Sequence, residues 1–194
     1  GERFPTSRPP VGGGGLWRGI TSNEVCRRER RAKRIVSAGG GYVANEVAGS
    51  FHQFGSHVTV VNRSDTILRG YDEQCRDRLL QISLAKGIDF KFNSTFNSIA
   101  KQADGTLKID MGGCDDLEAD EVLFAIGRKP NVEGLGLDAA GVELGDTGQI
   151  QVDDDNRTNV PSIYAVGDVP ARLHLAPVAI RQGPAFSDPG FAAT

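Results

Sequence analysis

Hydrophobic and polar positions follow two different periods in the first part of the chain. "RIVSA", Arg34 to Ala38, is a short apolar run of the kind that forms a buried strand, and glycines follow it. "VANEVAGSFHQFG" has apolar residues at helical spacing and ends at Gly55, which predicts a helix with a glycine cap. "HVTVVNR" is rich in β-branched residues and predicts a second strand. Together these segments predict a βαβ unit with parallel strands.

The alternation of elements continues after this unit. "YDEQCRDRLLQISLAKG" predicts a second amphipathic helix that ends at Gly87, and "IDFKFNS" predicts the next strand. "FNSIAKQADGTLKIDMGG" predicts a hairpin around Asp104-Gly105, and "ADEVLFAIG" predicts a strand buried on both faces. We therefore predict an α/β fold, with a Rossmann-like domain that combines a parallel sheet and a β-meander.

Composition changes at both ends of this region. Residues 1–32 contain few residues that could form a hydrophobic core, and their proline and glycine content is typical of a linker. From Gly134 to Asp168 the chain predicts short strands and turns. We predict a first domain over residues 1–129, with 1–32 as its lead-in, and an incomplete second domain over residues 130–194.

Charge and cysteine usage exclude several classes of function. The 22 basic and 25 acidic residues give a net charge of −3, which provides no general attraction to nucleic acid. The stretch "RRERRAKR", Arg27 to Arg34, is interpreted as a solvated approach to the first strand, with a nucleic-acid patch as a distant alternative. Cys26, Cys75 and Cys114 stand far apart, which predicts no metal site and no local redox pair, and favours a reducing, cytoplasmic location. No apolar run approaches the roughly 20 residues that span a bilayer, so we predict no membrane partner.

The glycines after the first strand predict a dinucleotide site. Gly39, Gly41 and Ala44 fit the pattern G-x-G-x-x-A between a strand and a helix. The first glycine allows a tight turn, the second lets the backbone approach a pyrophosphate, and the small third residue lets helix and strand pack closely. The helix N-terminus offers N–H groups to the phosphates. The alternative is a tight turn with a structural role only.

The end of the second strand favours NADP over NAD. An NAD site needs an acidic residue about 20 positions after the glycines, where it accepts hydrogen bonds from the ribose hydroxyl. Here Asn62 and Arg63 occupy that place, and Arg69 follows. Guanidinium groups form charge-assisted bonds with a 2′-phosphate. Asp65 between the arginines keeps open the alternative that both are ordinary surface charges.

Five ordered motifs carry a family resemblance over residues 1 to about 186. They are "KRIVSAGGGYVANEVAG", "VVNRSDTILRGYDE", "VLFAIGRKPNVEGLGLDAAGVEL", "RTNVPSIYAVGDV" and "LAPVAI". The chain resembles the flavin-dependent pyridine nucleotide–disulfide oxidoreductases. "ITSNE" and the paired arginines place the resemblance nearest the glutathione reductase branch.

The resemblance implies roles that the residues alone do not assign. Tyr42 resembles a tyrosine that lies over the flavin and moves aside for the nicotinamide, and Glu46 resembles a glutamate near the nicotinamide. Gly167 and Asp168 resemble a turn whose aspartate binds the ribityl chain of FAD. The nicotinamide cofactor would be held by Gly39, Gly41, Ala44, Arg63, Arg69, Gly127 and Arg128.

The resemblance also implies segments that this sequence does not contain. The family's FAD-binding glycine turn and redox cysteine pair precede the matched region, and its dimerisation domain follows it. We therefore expect a fragment of a homodimeric parent in which NADPH reduces FAD, then a disulfide, then glutathione disulfide. For this chain alone we expect weak NADPH binding, no catalytic residue and no reductase turnover.

Departures from the family pattern leave alternatives open. Ser37 and Ala38 replace bulky apolar residues, Ala176 replaces a threonine, and Pro184 and Pro189 are expected to interrupt the last helix. The parent could be a dihydrolipoamide, mercuric or trypanothione reductase. The chain could also be a non-catalytic nucleotide-binding module or a truncated product without its own function.

Overall fold

The computed structural model describes residues 2–3, 19–25, 27–113, 116–170 and 174–191. The chain divides into two compact units, one of Ser7–Gly127 and one of Gly1–Thr6 with Arg128–Thr194. Cys26 and Cys114 lie outside the described residues, whereas Cys75 is exposed. The described elements, in chain order, are β1 (Glu2–Arg3), α1 (Ser22–Val25), β2 (Arg34–Ala38), α2 (Tyr42–Gln53), β3 (His57–Val61), α3 (Glu73–Ala85), β4 (Asp89–Lys91), β5 (Ser98–Lys101), β6 (Leu107–Asp110), β7 (Leu117–Ala119), β8 (Glu121–Phe124), β9 (Lys129–Pro130) and α4 (Ala176–Phe191).

A parallel sheet forms the centre of the first unit. Its strands lie in the order β4-β3-β2-β8, and each neighbouring pair is parallel. The predicted βαβ unit is therefore confirmed. The helix α2 ends as expected, because Gly55 adopts φ +82° and its N–H donates to the carbonyl of His52 at 2.8 Å. Gly87, with φ +95°, does the same after α3.

Both faces of this sheet are covered, which explains the nearly continuous apolar runs of its strands. On one face, Ile35 packs with Ala44 and Ala48 of α2. On the other face, Val36 packs with residues of an antiparallel meander, such as Ile109. The meander has the order β5-β6-β7, and Gly105, with φ +91°, lies in its first turn as predicted.

Some residues just before β2 are hydrogen-bonded to the sheet. Ile20 is buried and forms a parallel bridge with Leu123, in which its N–H donates to the carbonyl of Val122 at 2.8 Å. The Glu24 side chain caps the start of α1, since its carboxylate accepts hydrogen bonds from both the N–H and the hydroxyl of Thr21. This segment therefore extends the sheet beyond β8.

The basic stretch after α1 is bound into the same unit. Arg28 forms an ion pair with Glu121, and Arg31 donates to the carbonyl of Phe54. Arg34 lies 2.8 Å from a carboxylate oxygen of Glu118 and 3.4 Å from one of Asp120. The other Asp120 oxygen accepts from the backbone N–H groups of Lys33 and Arg34 at 2.8 and 2.9 Å. The arginines thus join the approach segment to the strands.

The second unit has its own small core. β1 pairs with β9 in antiparallel register, and Val142, Ile150 and Ala165 are buried together. Between residues 131 and 170 the described pairing consists of single bridges, such as that between Leu144 and Ile150, joined by turns. The short strands predicted here are therefore reduced to bridges, because polar turn residues interrupt every apolar run.

The prediction that two prolines interrupt the last helix was wrong, because α4 runs from Ala176 to Phe191 through both. Pro184 cannot donate to the carbonyl of Ile180, but the Ile180 side chain is 71% exposed, so that turn faces water. Tertiary contacts hold the other face, where the ring of Phe186 lies 4.6 Å from that of Tyr164. Packing therefore outweighs local propensity. No helix in the described part of the chain is long and apolar enough to cross a membrane.

Candidate cofactor-binding site

Three consecutive glycines follow β2, and the lack of a side chain has a different consequence at each of them. Gly39 adopts φ +116°, and a Cβ there would lie 2.4 Å from the carbonyl oxygen of Ala125. A Cβ on Gly40 would lie 2.4 Å from the side-chain nitrogen of Asn62. A Cβ on Gly41 would meet nothing within 4 Å. The first two glycines thus permit the turn itself, whereas Gly41 lines open space.

The N-terminus of α2 faces that open space without a side-chain cap. Gly41 is the N-cap residue, and as a glycine it has no side chain that could cap the first turn. The side chain of Asn45 instead donates to the carbonyls of Gly40 and Gly41, at 3.1 and 2.8 Å. Ala44 is fully buried against the sheet, as the third position of the motif requires. The dipole and amide groups of the helix terminus favour an anion at this position.

The segment after β3 lies against the glycine turn. The N–H of Leu68 donates to the carbonyl of Gly40 at 2.7 Å, which joins this loop to the turn. Arg63 and Arg69 are exposed at the two ends of the loop. Within the described part of the chain neither arginine forms an ion pair. The segment that carries both arginines is therefore held beside the predicted phosphate turn.

Three more of the predicted residues lie near this edge. Tyr42, half-buried, is the first residue of α2, and Glu46 is exposed one turn later on the same helix face. Gly127, with φ +141°, lies three residues after the end of β8. Ala125, the first residue after β8, donates its N–H to the carbonyl of Ala38 at the end of β2, at 2.9 Å. The carboxyl ends of neighbouring parallel strands thus carry the turn and Gly127, which is the usual place for a ligand in an open α/β sheet.

The other predicted residues belong to the second unit. Arg128 is half-buried at its beginning. Gly167 adopts φ +81°, and its N–H donates to the side-chain oxygen of Gln182 on α4 at 2.8 Å. Asp168 is half-buried in the turn that follows. The hydrogen bond from Gly167 therefore ties the turn that contains Asp168 to α4.

Sequence reasoning missed the asparagines that shape the site. Asn62 was noted only as the absence of a carboxylate, yet it is buried with 8% of its surface exposed. Asn45 and Gln182 carried no motif signal. One sequence signal pointed to Asn62. The first variable position of the G-x-G-x-x-A motif is also a glycine, Gly40, and its lack of a side chain makes room for the Asn62 amide. Among the described residues, no cluster of three His, Cys, Asp or Glu side chains could hold a metal ion.

Most of the chain is similar in sequence to known proteins. The family model described as pyridine nucleotide-disulphide oxidoreductase matches residues 6–183. Glutathione reductase of Burkholderia cepacia is 42% identical over 94% of this chain and 40% of its own length. Trypanothione reductase of Trypanosoma congolense is 41% identical over 87% of this chain and 35% of its own length. The chain therefore spans less than half the length of these curated relatives.

Solved structures give the same result. The Cu(II) complex of the HOCl-induced flavoprotein disulfide reductase RclA from Escherichia coli matches with a TM-score of 0.86 and 25% identity, over 97% of this chain and 42% of that one. LpdA from Mycobacterium tuberculosis matches with a TM-score of 0.82 and 28% identity, over 97% of this chain and 41% of that one. The extent of the family match and the identity to the reductases lead to one conclusion: this chain belongs to the pyridine nucleotide–disulfide oxidoreductase family.

Proposed function

We propose that this chain contains the NADPH-binding domain of a flavoprotein disulfide reductase and part of its FAD-binding domain. The observation that carries the proposal is the hydrogen bond from Leu68 to Gly40, because it holds the loop of Arg63 and Arg69 beside the open helix terminus. Members of this family use FAD and NAD(P)H, and NADPH differs from NADH by the phosphate that such arginines recognise.

The residues present fit the nicotinamide cofactor. The empty space at Gly41 allows a pyrophosphate to approach the backbone, and α2 has no side-chain cap that would compete with it. Arg63 and Arg69 would bind the 2′-phosphate. Glu46 would lie near the nicotinamide, Tyr42 would lie over the flavin and move aside for the nicotinamide, and Gly127 and Arg128 would belong to a loop beside the cofactor. When bound, NADPH supplies a hydride for the flavin, while the protein binds and orients the nucleotide.

The second unit would contribute one contact to FAD. Asp168 lies half-buried in the turn fixed by Gln182, and its carboxylate would accept a hydrogen bond from a hydroxyl of the ribityl chain. Gly167 supports the turn through its positive φ. We assign no nucleophile and no general acid or base to this chain, whose three cysteines are not paired in the sequence.

We infer that the intact parent is a cytoplasmic homodimer that reduces glutathione disulfide. Trypanothione disulfide is the second candidate substrate, because trypanothione reductases are nearly as similar to this chain as glutathione reductases. Catalytic turnover needs a redox disulfide, so the chain alone is proposed to bind NADPH without reducing either substrate. Reduction of glutathione disulfide by the purified chain with NADPH and FAD would contradict this part of the proposal.

The test of cofactor choice compares NADPH and NADH binding by calorimetry. Each charge-assisted bond to the phosphate contributes about 1.5–3 kcal/mol, so Arg63→Met and Arg69→Met should each weaken NADPH binding roughly 10- to 100-fold. NADH binding should hardly change. Arg30→Met is the matched control, since Arg30 is exposed on the same unit and its loss changes the net charge equally. Equal binding of NADPH and NADH by the unmodified chain would refute the assignment.

A further inference from the structure

We propose that Asn62 is a positioning residue for recognition of the 2′-phosphate. Its side-chain amide holds the segment from Arg63 to Gly70, here called the arginine loop, in the shape that presents Arg63 and Arg69. This inference rests on the proposed NADPH-binding function and adds a specificity-determining residue to it. Asn62 itself need not touch the nucleotide.

The side chain of Asn62 uses its whole NH₂ group to hold the loop. It is buried, and its nitrogen donates to the hydroxyl of Ser64 at 2.9 Å and to the carbonyl of Thr66 at 2.7 Å. The hydroxyl of Ser64 donates to the same Thr66 carbonyl at 3.1 Å. An NH₂ group has two hydrogens, so both are used inside the arginine loop.

The backbone of Asn62 is equally fixed. Its N–H donates to the carbonyl of Lys91 at 2.8 Å, and its carbonyl accepts from the N–H of Ser94 at 3.1 Å. The asparagine is therefore anchored to β4 and the residues after it. The side-chain bonds of Asn62 therefore tie Ser64 and Thr66 to the same anchor.

The far end of the arginine loop is held in an unusual conformation. Leu68 adopts φ +50°, which bulky residues rarely adopt, and its N–H donates to the carbonyl of Gly40. A strained residue keeps such a conformation only when its surroundings determine it. Arg63 directly follows the Asn62 anchor, and Arg69 directly follows Leu68. Each arginine thus stands next to one of the two points that fix the loop.

Asn62 also connects the loop to the phosphate turn, because a side chain on Gly40 would overlap its amide. An aspartate in this place would have the same size but no NH₂ group. It would direct a carboxylate oxygen at the Thr66 carbonyl, and the two negative oxygens would repel each other. The amide therefore selects the loop shape that an acidic residue, as used for NAD, would disrupt.

The test measures NADPH and NADH affinities of the full chain by calorimetry. Asn62→Ala should weaken NADPH binding at least 10-fold and change NADH binding less than threefold. In an Arg63→Met/Arg69→Met background, Asn62→Ala should have no further effect on NADPH binding, because it acts through the arginines. Asn45→Ala is the comparison variant: its amide holds the carbonyls of Gly40 and Gly41, so its loss should weaken both cofactors equally.

The outcomes separate this inference from the function on which it rests. If the unmodified chain does not prefer NADPH to NADH, the proposed function fails and the inference fails with it. If the unmodified chain prefers NADPH and Asn62→Ala keeps the same affinity ratio, only the inference is overturned. Should Asn62→Ala not fold, Ser64→Ala decides, because it removes one of the two amide contacts; an unchanged ratio in that variant also overturns the inference.

Discussion

Replacing the first and third glycines of the turn with alanine should have opposite effects on stability. Gly39 needs φ +116°, and its added methyl group would lie 2.4 Å from the Ala125 carbonyl. Gly41 has φ −75° and ψ 179°, which alanine adopts freely, and its methyl group would meet nothing within 4 Å. The two variants therefore make the same chemical change two residues apart, in a strained place and in an open one.

The structure sets the size of each effect. For Gly39→Ala, the backbone conformation costs about 1–3 kcal/mol and the overlap with the Ala125 carbonyl a further ~1–3 kcal/mol, or about 4 kcal/mol together. In a chain of this size that lowers Tm by about 8–16 °C. Gly41→Ala should raise the free energy of unfolding by about 0.4–1 kcal/mol, because alanine restricts the unfolded chain. Its methyl group would nevertheless occupy the space of the pyrophosphate, and we expect NADPH to bind at least roughly tenfold more weakly.

Urea unfolding followed by circular dichroism gives the stabilities, and calorimetry with NADPH gives the affinities. Gly49→Ala serves as a control, because Gly49 lies within α2 and a Cβ there also meets nothing within 4 Å. It should be stabilised without any change in NADPH binding. Two results would refute the reasoning: equal unfolding midpoints for Gly39→Ala and Gly41→Ala, or unchanged NADPH affinity in Gly41→Ala.

Two further predictions concern the sheet. Ser37 is buried with 1% of its surface exposed, and its hydroxyl has no partner among the described residues. Ser37→Ala should therefore raise the free energy of unfolding by about 1 kcal/mol, measured by urea unfolding. A loss of stability in this variant would contradict the prediction. Burial raises the pKa of Asp120, but N–H groups of Arg34 and Lys33 and the Arg34 guanidinium outweigh burial and hold that pKa below its ordinary value. The ionised Asp120 thus stabilises the folded state above the unfolded-state pKa, about pH 4, and this contribution disappears as pH falls through the lower folded-state pKa. Unfolding of the unmodified chain and Asp120→Asn across pH 2–7 should show a constant difference above pH 5 that shrinks below about pH 4; a difference that grows toward low pH would be inconsistent with the ion pair.

Local patterns were sufficient for the elements whose signals lie within a few residues. The run before Gly39, the helical spacing before Gly55 and the Asp104-Gly105 turn each predicted the structure correctly, because strand burial, caps and hairpin turns depend on neighbouring residues. The sequence pattern did not separate β7 from β8, because β7 has only three residues and charged residues flank it. Ile20 gave no signal because its partner Leu123 is far along the chain.

The candidate site divides in the same way. Sequence spacing identified the glycines and both arginines, but the contact between their segments depends on the Leu68–Gly40 hydrogen bond, which no local pattern encodes. Asn62 illustrates the limit most clearly. An asparagine in a loop usually forms a local turn, and only the folded chain brings its amide against a glycine more than 20 residues earlier. The roles assigned to individual site residues therefore remain predictions to be tested by binding.

The ion pairs of the basic stretch have a practical consequence for anyone who trims this domain. A shortened version that starts at β2 would look reasonable from the pattern of hydrophobic residues alone. Such a version would, however, lack Arg28, the ion-pair partner of Glu121. It would also lack Ile20, which pairs with Leu123 and covers that edge of the sheet. An unpaired edge favours self-association, and an isolated, half-buried carboxylate destabilises the folded state. The smallest well-behaved version of the nucleotide-binding unit therefore begins before Gly19, with its arginines intact.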